Sequence, residues 1–367
     1  MFKPIFDVDL PGLQFEVNSH EVGMGMAYKQ LFPLKYTPNF DIRALEGDEG
    51  IPVTADVVAF NTRAPQKTRR TVGGWRGTLF KVLISRSKNE REIKEYEVQR
   101  AAAAAANDPQ AAQWMVDLTY EDVEFCAEGV DSKANQICLI AASNGELAIN
   151  EKNNGAGNVT QEAINYNVPN KVGVAALWSD HENADGIADL AKAQEAVKKT
   201  NTKKPRFAFM GQAALDNLLL QAATVRRVAS VALQVTGLAS TETISLESVN
   251  AYMRTKGYPQ IRVLVDQEAT VEQENGVQES VNPWKENVVV LSLTEQLGWL
   301  YYTSVPTVPN TDALQVFRSF FKITRYSDVN PMQETTLGEA YLAPGLINRK
   351  SMVLLNTEKT TWNNGNA

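Results

Sequence analysis

The stretch from Asp108 to Asn144 constrains the fold more than any other part of the chain. Asp108-Pro109 is a helix-start pair. The aspartate offers a side-chain acceptor at the N-cap, and proline at the first helical position loses nothing by lacking an N–H. No further proline follows before Asn144, and Gly129 is the one interior weak point. Asn144-Gly145 closes the run, because glycine accepts the positive φ of a helix C-terminus. Roughly 35 helical residues span about 50 Å at 1.5 Å per residue, far more than an ordinary globular helix. Gly129, with Asp131-Ser132 behind it, marks where such a helix would kink or divide. So long a helix, in a chain otherwise patterned for strands, points to an extended, plate-like subunit.

Ahead of it, residues 1–60 read as an arm. Prolines 4, 11, 33, 38 and 52 and glycines 12, 23, 25, 47 and 50 interrupt every pattern. Phe2, Phe6, Leu13, Phe15 and Phe32 keep it apolar enough to lie on a protein surface. Between residues 63 and 88 the composition turns basic: Arg63, Lys67, Arg69, Arg70, Arg76, Lys81, Arg86 and Lys88, with no carboxylate. VGGWRG in the middle reads as a turn, with KTRRTV and TLFKVLIS as the two strands of a long hairpin. KNEREIKEYEVQRAAAAAA is a charged, solvated helix. The spine that follows carries Asp117, Glu121, Asp122, Glu124, Glu128 and Asp131 with no cation among them. Several of these are like-charge neighbours on a helix, each slightly unfavourable locally.

After Gly145 the strands GELAINE and VTQEAINYNV form a hairpin, and ADGIADLAKAQEAVKKT a helix with Ile187, Leu190, Ala193 and Val197 on one face. RFAFMG is a buried strand, QAALDNLLLQA a short helix, and Ser245 caps LESVNAYMRTK, which stops at Gly257. IRVLVD is a strand, ATVEQENGVQESV a hairpin, and ENVVVLSLT and GWLYYTSV two more strands. QVFRSFFKITRY alternates as one strand. EAYLAPG and KSMVLLNT precede a polar tail. Residues 207–305, alternating strands and helices, form the best candidate for a second compact domain.

Chemistry is thin. His20 and His181 are the only histidines, which excludes histidine-rich metal sites and most nucleophile–base pairs. Phosphate-loop, nucleophile-elbow and zinc-cysteine spacings are absent. Cys126 and Cys138 lie about 18 Å apart on the spine, too far for a disulfide, and read as buried thiols of a reducing compartment. The N-terminus lacks the pattern of a signal peptide, and no apolar run approaches the ~20 residues of a membrane span. A net charge of −7 speaks against wholesale coating of nucleic acid. A soluble cytosolic product, with no cofactor, metal or catalytic residue, is expected.

The order of parts carries a resemblance. RAPQKTRR stands before the spine, YEDVEFCAEGVDSKANQICLIAASNGELAINE forms spine and hairpin, IRVLVDQEATVEQENGVQESVNPWKENVVVLSL follows, and GEAYLAPGLINRKSMVLLNTE completes the set. In this the chain resembles the major capsid proteins of tailed bacteriophages, of the Hong Kong 97 fold, and among them the lambda-type major capsid protein E family. The resemblance implies an α+β fold. Residues 1–60 would be the N-arm and 61–87 the extended E-loop. Residues 88–206 would form the peripheral domain with its spine at about 109–143, 207–305 the axial domain, and 306–367 the return to the peripheral domain and a tail. It implies hexamers and pentamers of this chain in an icosahedral shell around double-stranded DNA, in the virion, assembled in the host bacterial cytoplasm. Portal and scaffolding proteins, and a decoration protein, are the partners it brings. An encapsulin-type nanocompartment is the alternative within the fold, and a soluble acidic-site hydrolase the alternative outside it. The opposite signs of basic loop and acidic spine give the contact candidates between subunits. Lys67, Arg69, Arg70 and Arg76 would dock on Glu121, Asp122, Glu124 and Glu128 of a neighbour, the alternatives being a solvated basic loop and cations that face the DNA.

Overall fold

A computed structural model describes residues 10–19, 25–45, 74–106, 109–150, 153–155, 163–197, 203–236, 244–273, 276–307 and 313–362. Its longest element is the spine helix α4 (Pro109–Asn144), continuous through Gly129. Asp108 lies outside the described residues. Gly145 ends the helix as required, with φ +69° and its N–H donating to Ala141 O at 3.0 Å. Gly129 neither kinks nor splits it. Its missing side chain makes room instead: a Cβ there would overlap the δ-methyl of Ile84 on β4 (Phe80–Asn89). Val123, Cys126, Ala127, Val130, Ala134, Ile137, Cys138 and Ala141 bury at helical spacing. Most of these side chains are small, which lets the helix lie close on the strands beneath it.

Those strands form a six-stranded sheet built on one long member. β16 (Met332–Leu346) pairs with β15 (Phe321–Val329) along its first half and with β13 (Gly298–Thr303) along its second. β4 runs along β16 from Gln333 to Leu342, and the sheet ends in β14 (Leu314–Arg318) and in β1 (Leu34–Tyr36), parallel to β13. Two expectations fail here. QVFRSFFKITRY is not one strand but the hairpin β14–β15, reversing at Ser319 with φ +50°. TLFKVLIS pairs with β16, and KTRRTV, the strand expected beside it, spans residues 67–72, which lie outside the described ones. VGGWRG is not a free turn either. It supplies β3 (Gly74–Thr78), which pairs with β2 (Asp41–Leu45). The reason is Trp75, 3% exposed, whose indole N–H donates to Leu346 O at 3.3 Å and whose ring meets Tyr166 edge-on at 5.0 Å. Burying an indole outweighs the turn preference of its glycines. In the arm, α1 (Leu10–Ser19) buries Leu13 and Val17, and α2 (Tyr28–Leu31) packs on the spine. The charged helix is α3 (Glu90–Ala106).

The five-stranded sheet has the order β7 (Asn170–Gly173), β17 (Val353–Asn356), β12 (Val288–Ser292), β8 (Phe207–Gly211), β9 (Gln260–Leu264). It is buried on both faces, and alternation sorts its side chains into two cores. Val288, Val290, Phe209 and Leu354 join the core beneath α4. Val289, Leu291, Ala208, Met210, Val353 and Leu355 face the other way. There they meet Ile187 and Leu190 of α5 (Gly186–Ala196), Leu215 and Leu218 of α6 (Gln212–Leu220), Val228 of α7 (Ala222–Thr236), and Val249 and Met253 of α8 (Leu246–Lys256). Ser245 caps α8 in a reciprocal capping box and Gly257 ends it at φ +68°. β5 (Glu146–Ala148) pairs with β6 (Ala163–Asn165), and β10 (Ala269–Glu272) with β11 (Gln278–Val281) through Gly276 at φ +78°. The sheets cut across the boundaries expected at 207 and 305. β7 and α5 precede residue 207 yet belong with the five-stranded sheet, β13 leaves it for the other, and the last strand, β17, enters it rather than the six-stranded sheet.

Candidate assembly surface

Among the described residues no metal-binding constellation forms. No group of three or more His, Cys, Asp or Glu is placed to hold an ion. His181 contacts Asn217 at 3.0 Å and its carbonyl accepts from the Ala222 N–H, so it ties α6 and α7 to the loop before α5. His20 is outside the described residues. What the described side chains do show is charge pairing.

The acidic spine does meet the basic stretch, but within one chain. In the register of β4 on β16, Arg86 lies opposite Thr336 and Lys88 opposite Glu334, on the same side as Gly338, which packs on α4. Lys88 Nζ reaches Asp122 Oδ2 at 2.7 Å, and Arg86 Nε reaches Asp122 Oδ1 at 3.5 Å. Arg86 also donates to Glu121 Oε1 at 3.0 Å and lies 5.1 Å from the ring centre of Phe125. Asp122, 2% exposed, is therefore engaged inside its own subunit and is not open to a neighbour's loop. Charge reversal at Asp122 would take one partner from Lys88 within the fold. Glu121 and Glu128 are exposed, Glu124 is half-buried, and Arg76 is exposed on β3. Lys67, Arg69 and Arg70 lie outside the described residues. The sequence displayed both signs; it gave no register to say that Arg86 and Lys88 were the cations that matter.

The two carboxylates should separate on mutation. Asp122→Asn is expected to destabilise by about 1–3 kcal/mol, since a buried charge-assisted pair is lost while its cations reach solvent. Glu121→Gln, breaking a pair about half-exposed on both sides, should cost under about 1 kcal/mol. Urea unfolding of the two variants checks the order.

A second cluster fastens the arm to the spine. Tyr28 of α2 donates its hydroxyl to Asp131 Oδ1, and Lys29 Nζ stands 3.6 Å from Asp131 Oδ2. One turn on, Asn135 Oδ1 accepts from the Tyr28 N–H at 3.1 Å. Gln267 completes it: its Oε1 accepts from the Ala27 N–H and from Asn135, and its amide donates to Gly25 O. Burial lifts the Asp131 carboxyl above the usual range, against the pull of Tyr28 and Lys29. On the opposite face of the six-stranded sheet, Glu339 lies between Lys81 at 3.1 Å and Lys322 at 3.2 Å. Burial opposes its ionisation, but the hydrogen bonds from these two ammonium groups outweigh it and hold the carboxyl below the usual range.

Among the described residues, Lys133 has no carboxylate within ion-pair distance. Its ammonium donates to Gln136 Oε1 at 2.8 Å and to Asn153 O, and burial lowers its pKa to about 8. An unfolded lysine titrates near 10.4, so between pH 8 and that value the unfolded chain holds more protons and stability rises with pH. The rise is bounded at about 3 kcal/mol. The stability difference between wild type and Lys133→Met should therefore move in favour of wild type from pH 7.5 to pH 10. A flat difference in chemical denaturation would refute the assignment.

No protein-family model matches this sequence, and no curated protein matches it either. Solved structures do. A protein described as a candidate prophage capsid protein from E. coli CFT073 superposes with a TM-score of 0.54 at 10% identity, over 95% of this chain and 99% of that one. A phage-related protein from Bordetella bronchiseptica RB50 superposes with a TM-score of 0.50 at 13% identity, over 96% and 97%. Spine helix, long β16, two-sheet core and arm belong to one architecture: the chain has the Hong Kong 97-type capsid fold.

Proposed function

We propose that this chain is the major capsid protein of a tailed bacteriophage or prophage. It would build an icosahedral head shell from hexamers and pentamers of itself around double-stranded DNA. The observation that carries the reading is the fold, matched end to end by a candidate prophage capsid protein. A shell protein needs no active site. It needs elements that lie on several neighbours, and the large apolar side chains Phe15, Tyr36, Phe40 and Phe317, all exposed, supply surface for that. The role is structural rather than catalytic. In this reading the five-stranded sheet with α5–α8 is the axial domain, and the six-stranded sheet with α4 the peripheral domain. The E-loop, expected at residues 61–87, would take in β3 and most of β4, and its residues 61–73 lie outside the described ones. A scaffolding protein and a portal would assist assembly in the bacterial cytoplasm, and a decoration protein could bind outside. Lys67, Arg69, Arg70 and Arg76 remain candidates for contact with a neighbour's exposed Glu121 and Glu128 and half-buried Glu124.

Negative-stain microscopy of the expressed chain, alone and with its neighbouring genes, tests the proposal. Closed shells of uniform size are expected with the scaffold present. Light scattering that finds only monomer or dimer under those conditions would overturn it. Shells that form without phage partners and load a cellular protein would favour the nanocompartment alternative.

A further inference from the structure

Two lysines from separate parts of the chain converge on one ring, and a third lies near enough to repel one of them. Lys171 lies on edge strand β7. Lys285 enters β12 in a loop fixed by Trp284, which is 1% exposed and donates its indole N–H to Val288 O at 3.1 Å. Lys359 follows β17 in a segment held by two backbone hydrogen bonds of 2.9 Å, Thr357 N–H to Asn287 O and Val174 N–H to Lys359 O. Gly173 lets that segment pass, since a Cβ there would overlap Lys359 O. The segment ends on Trp362, half-buried, with Lys171 Nζ 5.7 Å and Lys285 Nζ 5.8 Å from its ring centre. Among the described residues, none of the three ammonium groups has a carboxylate within ion-pair distance. The neighbouring Glu358 is occupied by the Ser179 N–H at 3.2 Å and its hydroxyl at 2.8 Å. Burial, and then the charges of Lys359 and Lys171, hold the Lys285 ammonium below its usual pKa, with Glu146 working the other way.

A chain of net charge −7 thus gathers three cations where they repel one another, with no ion pair to any of them among the described residues. Cation–π attraction to the ring is worth only about 0.5–1 kcal/mol per ammonium at an exposed site. We propose that Lys171, Lys285, Lys359 and Trp362 form a contact site for the phosphate backbone of nucleic acid. Each DNA strand carries one charge per about 3.4 Å of axis, so a run of phosphates can meet all three ammonium groups. A lone carboxylate of another protein would meet one. The site reads no sequence. It rests on the shell reading only for where the nucleic acid comes from.

The test uses the purified, unassembled full-length chain and a fluorescein-labelled 20-base-pair duplex, followed by anisotropy. Wild type is expected to bind with an affinity that falls about 40-fold between 50 and 200 mM salt, as three phosphate contacts require. Lys171→Gln, Lys285→Gln, Lys359→Gln together should weaken binding at 50 mM salt at least tenfold and flatten the salt dependence. Arg91→Gln with Lys94→Gln, on the solvated face of α3, should leave both unchanged. Thermal melting confirms that each variant is folded, and the single Lys285→Gln variant, expected to lose two- to fivefold, serves if the triple one is not. Unaltered duplex binding by the folded triple variant overturns the proposal. Unaltered binding with loss of shell assembly overturns it as well and assigns the cluster to contact with another copy of the chain. Failure of wild type to form shells, by contrast, counts against the shell reading and leaves the duplex result standing.

Discussion

Removing Glu334 alone is expected to cost about 3–5 kcal/mol of folding stability, whereas removing Glu334 and Arg325 together should cost far less. The two side chains form an ion pair between β15 and β16, and each is only 1% exposed. Arg325 lies opposite Thr336 in the register, which puts it diagonally across from Glu334 on the face shared with Gly338 and α4. Glu334→Leu leaves a guanidinium buried without its carboxylate, and a guanidinium cannot escape by losing its proton. Arg325→Met leaves the converse, a buried carboxylate, which can neutralise itself by protonation and so should cost somewhat less. The double variant removes both desolvation penalties and offers apolar volume in their place. A typical domain is stable by 5–15 kcal/mol, so the Glu334→Leu chain should express poorly or melt early, and the double variant should recover. Urea unfolding of all four proteins gives the coupling energy. Equal, additive losses from the two single changes would show that the pair contributes no mutual stabilisation.

That pair illustrates which parts of this fold are legible in the sequence. α4, α5 and α8 announce themselves because their signals are local: Pro109 at the start, Gly145 and Gly257 at the ends, Ser245 as a cap, apolar side chains at helical spacing. β8 and β12 stand out as short continuous apolar runs, since a sheet buried on both faces needs no alternation. Pairing across hundreds of residues leaves no such mark. Nothing in TLFKVLIS names the strand that begins at Met332 as its partner. Ser319-Phe320 lacks the glycine or asparagine that would have betrayed a hairpin, so β14 and β15 read as one strand. The charged site was half-visible for the same reason. Opposite signs on spine and basic stretch were plain, but only the register of β4 on β16 places Arg86 and Lys88 over Asp122. Of the carboxylates expected to face a neighbour, Asp122 is met within its own chain by Arg86 and Lys88, while Lys67, Arg69 and Arg70 lie outside the described residues.

Gly338→Val is the second large effect. By propensity the change should help, because glycine weakens a strand interior and valine favours one, a gain of up to about 1 kcal/mol. The packing opposes it. A Cβ at Gly338 would stand 2.9 Å from the backbone oxygen of Cys126, 3.1 Å from Ile84 Cγ2 and 3.2 Å from Val130 Cγ2. Ile84 can turn aside, as it would for an alanine at Gly129, but a helix carbonyl cannot move without disturbing its turn. The spine must then lift from the sheet along the stripe where Cys126, Val130 and Ala134 bury. Overpacking of this kind costs typically 1–3 kcal/mol and more when backbone is involved, so sterics should win, with Gly338→Ala intermediate. A second readout separates lifting of the helix from general weakening. Cys126 Sγ contacts Thr336 O at 3.4 Å, and burial pushes its thiol up to about 12, so in the wild type it should resist thiol reagents until the protein unfolds. In Gly338→Val, Cys126 should label under native conditions while Cys138, fully enclosed further along the helix, stays protected. A variant that melts at or above the wild-type temperature with Cys126 still protected would show that the close approach of β16 to α4 has slack.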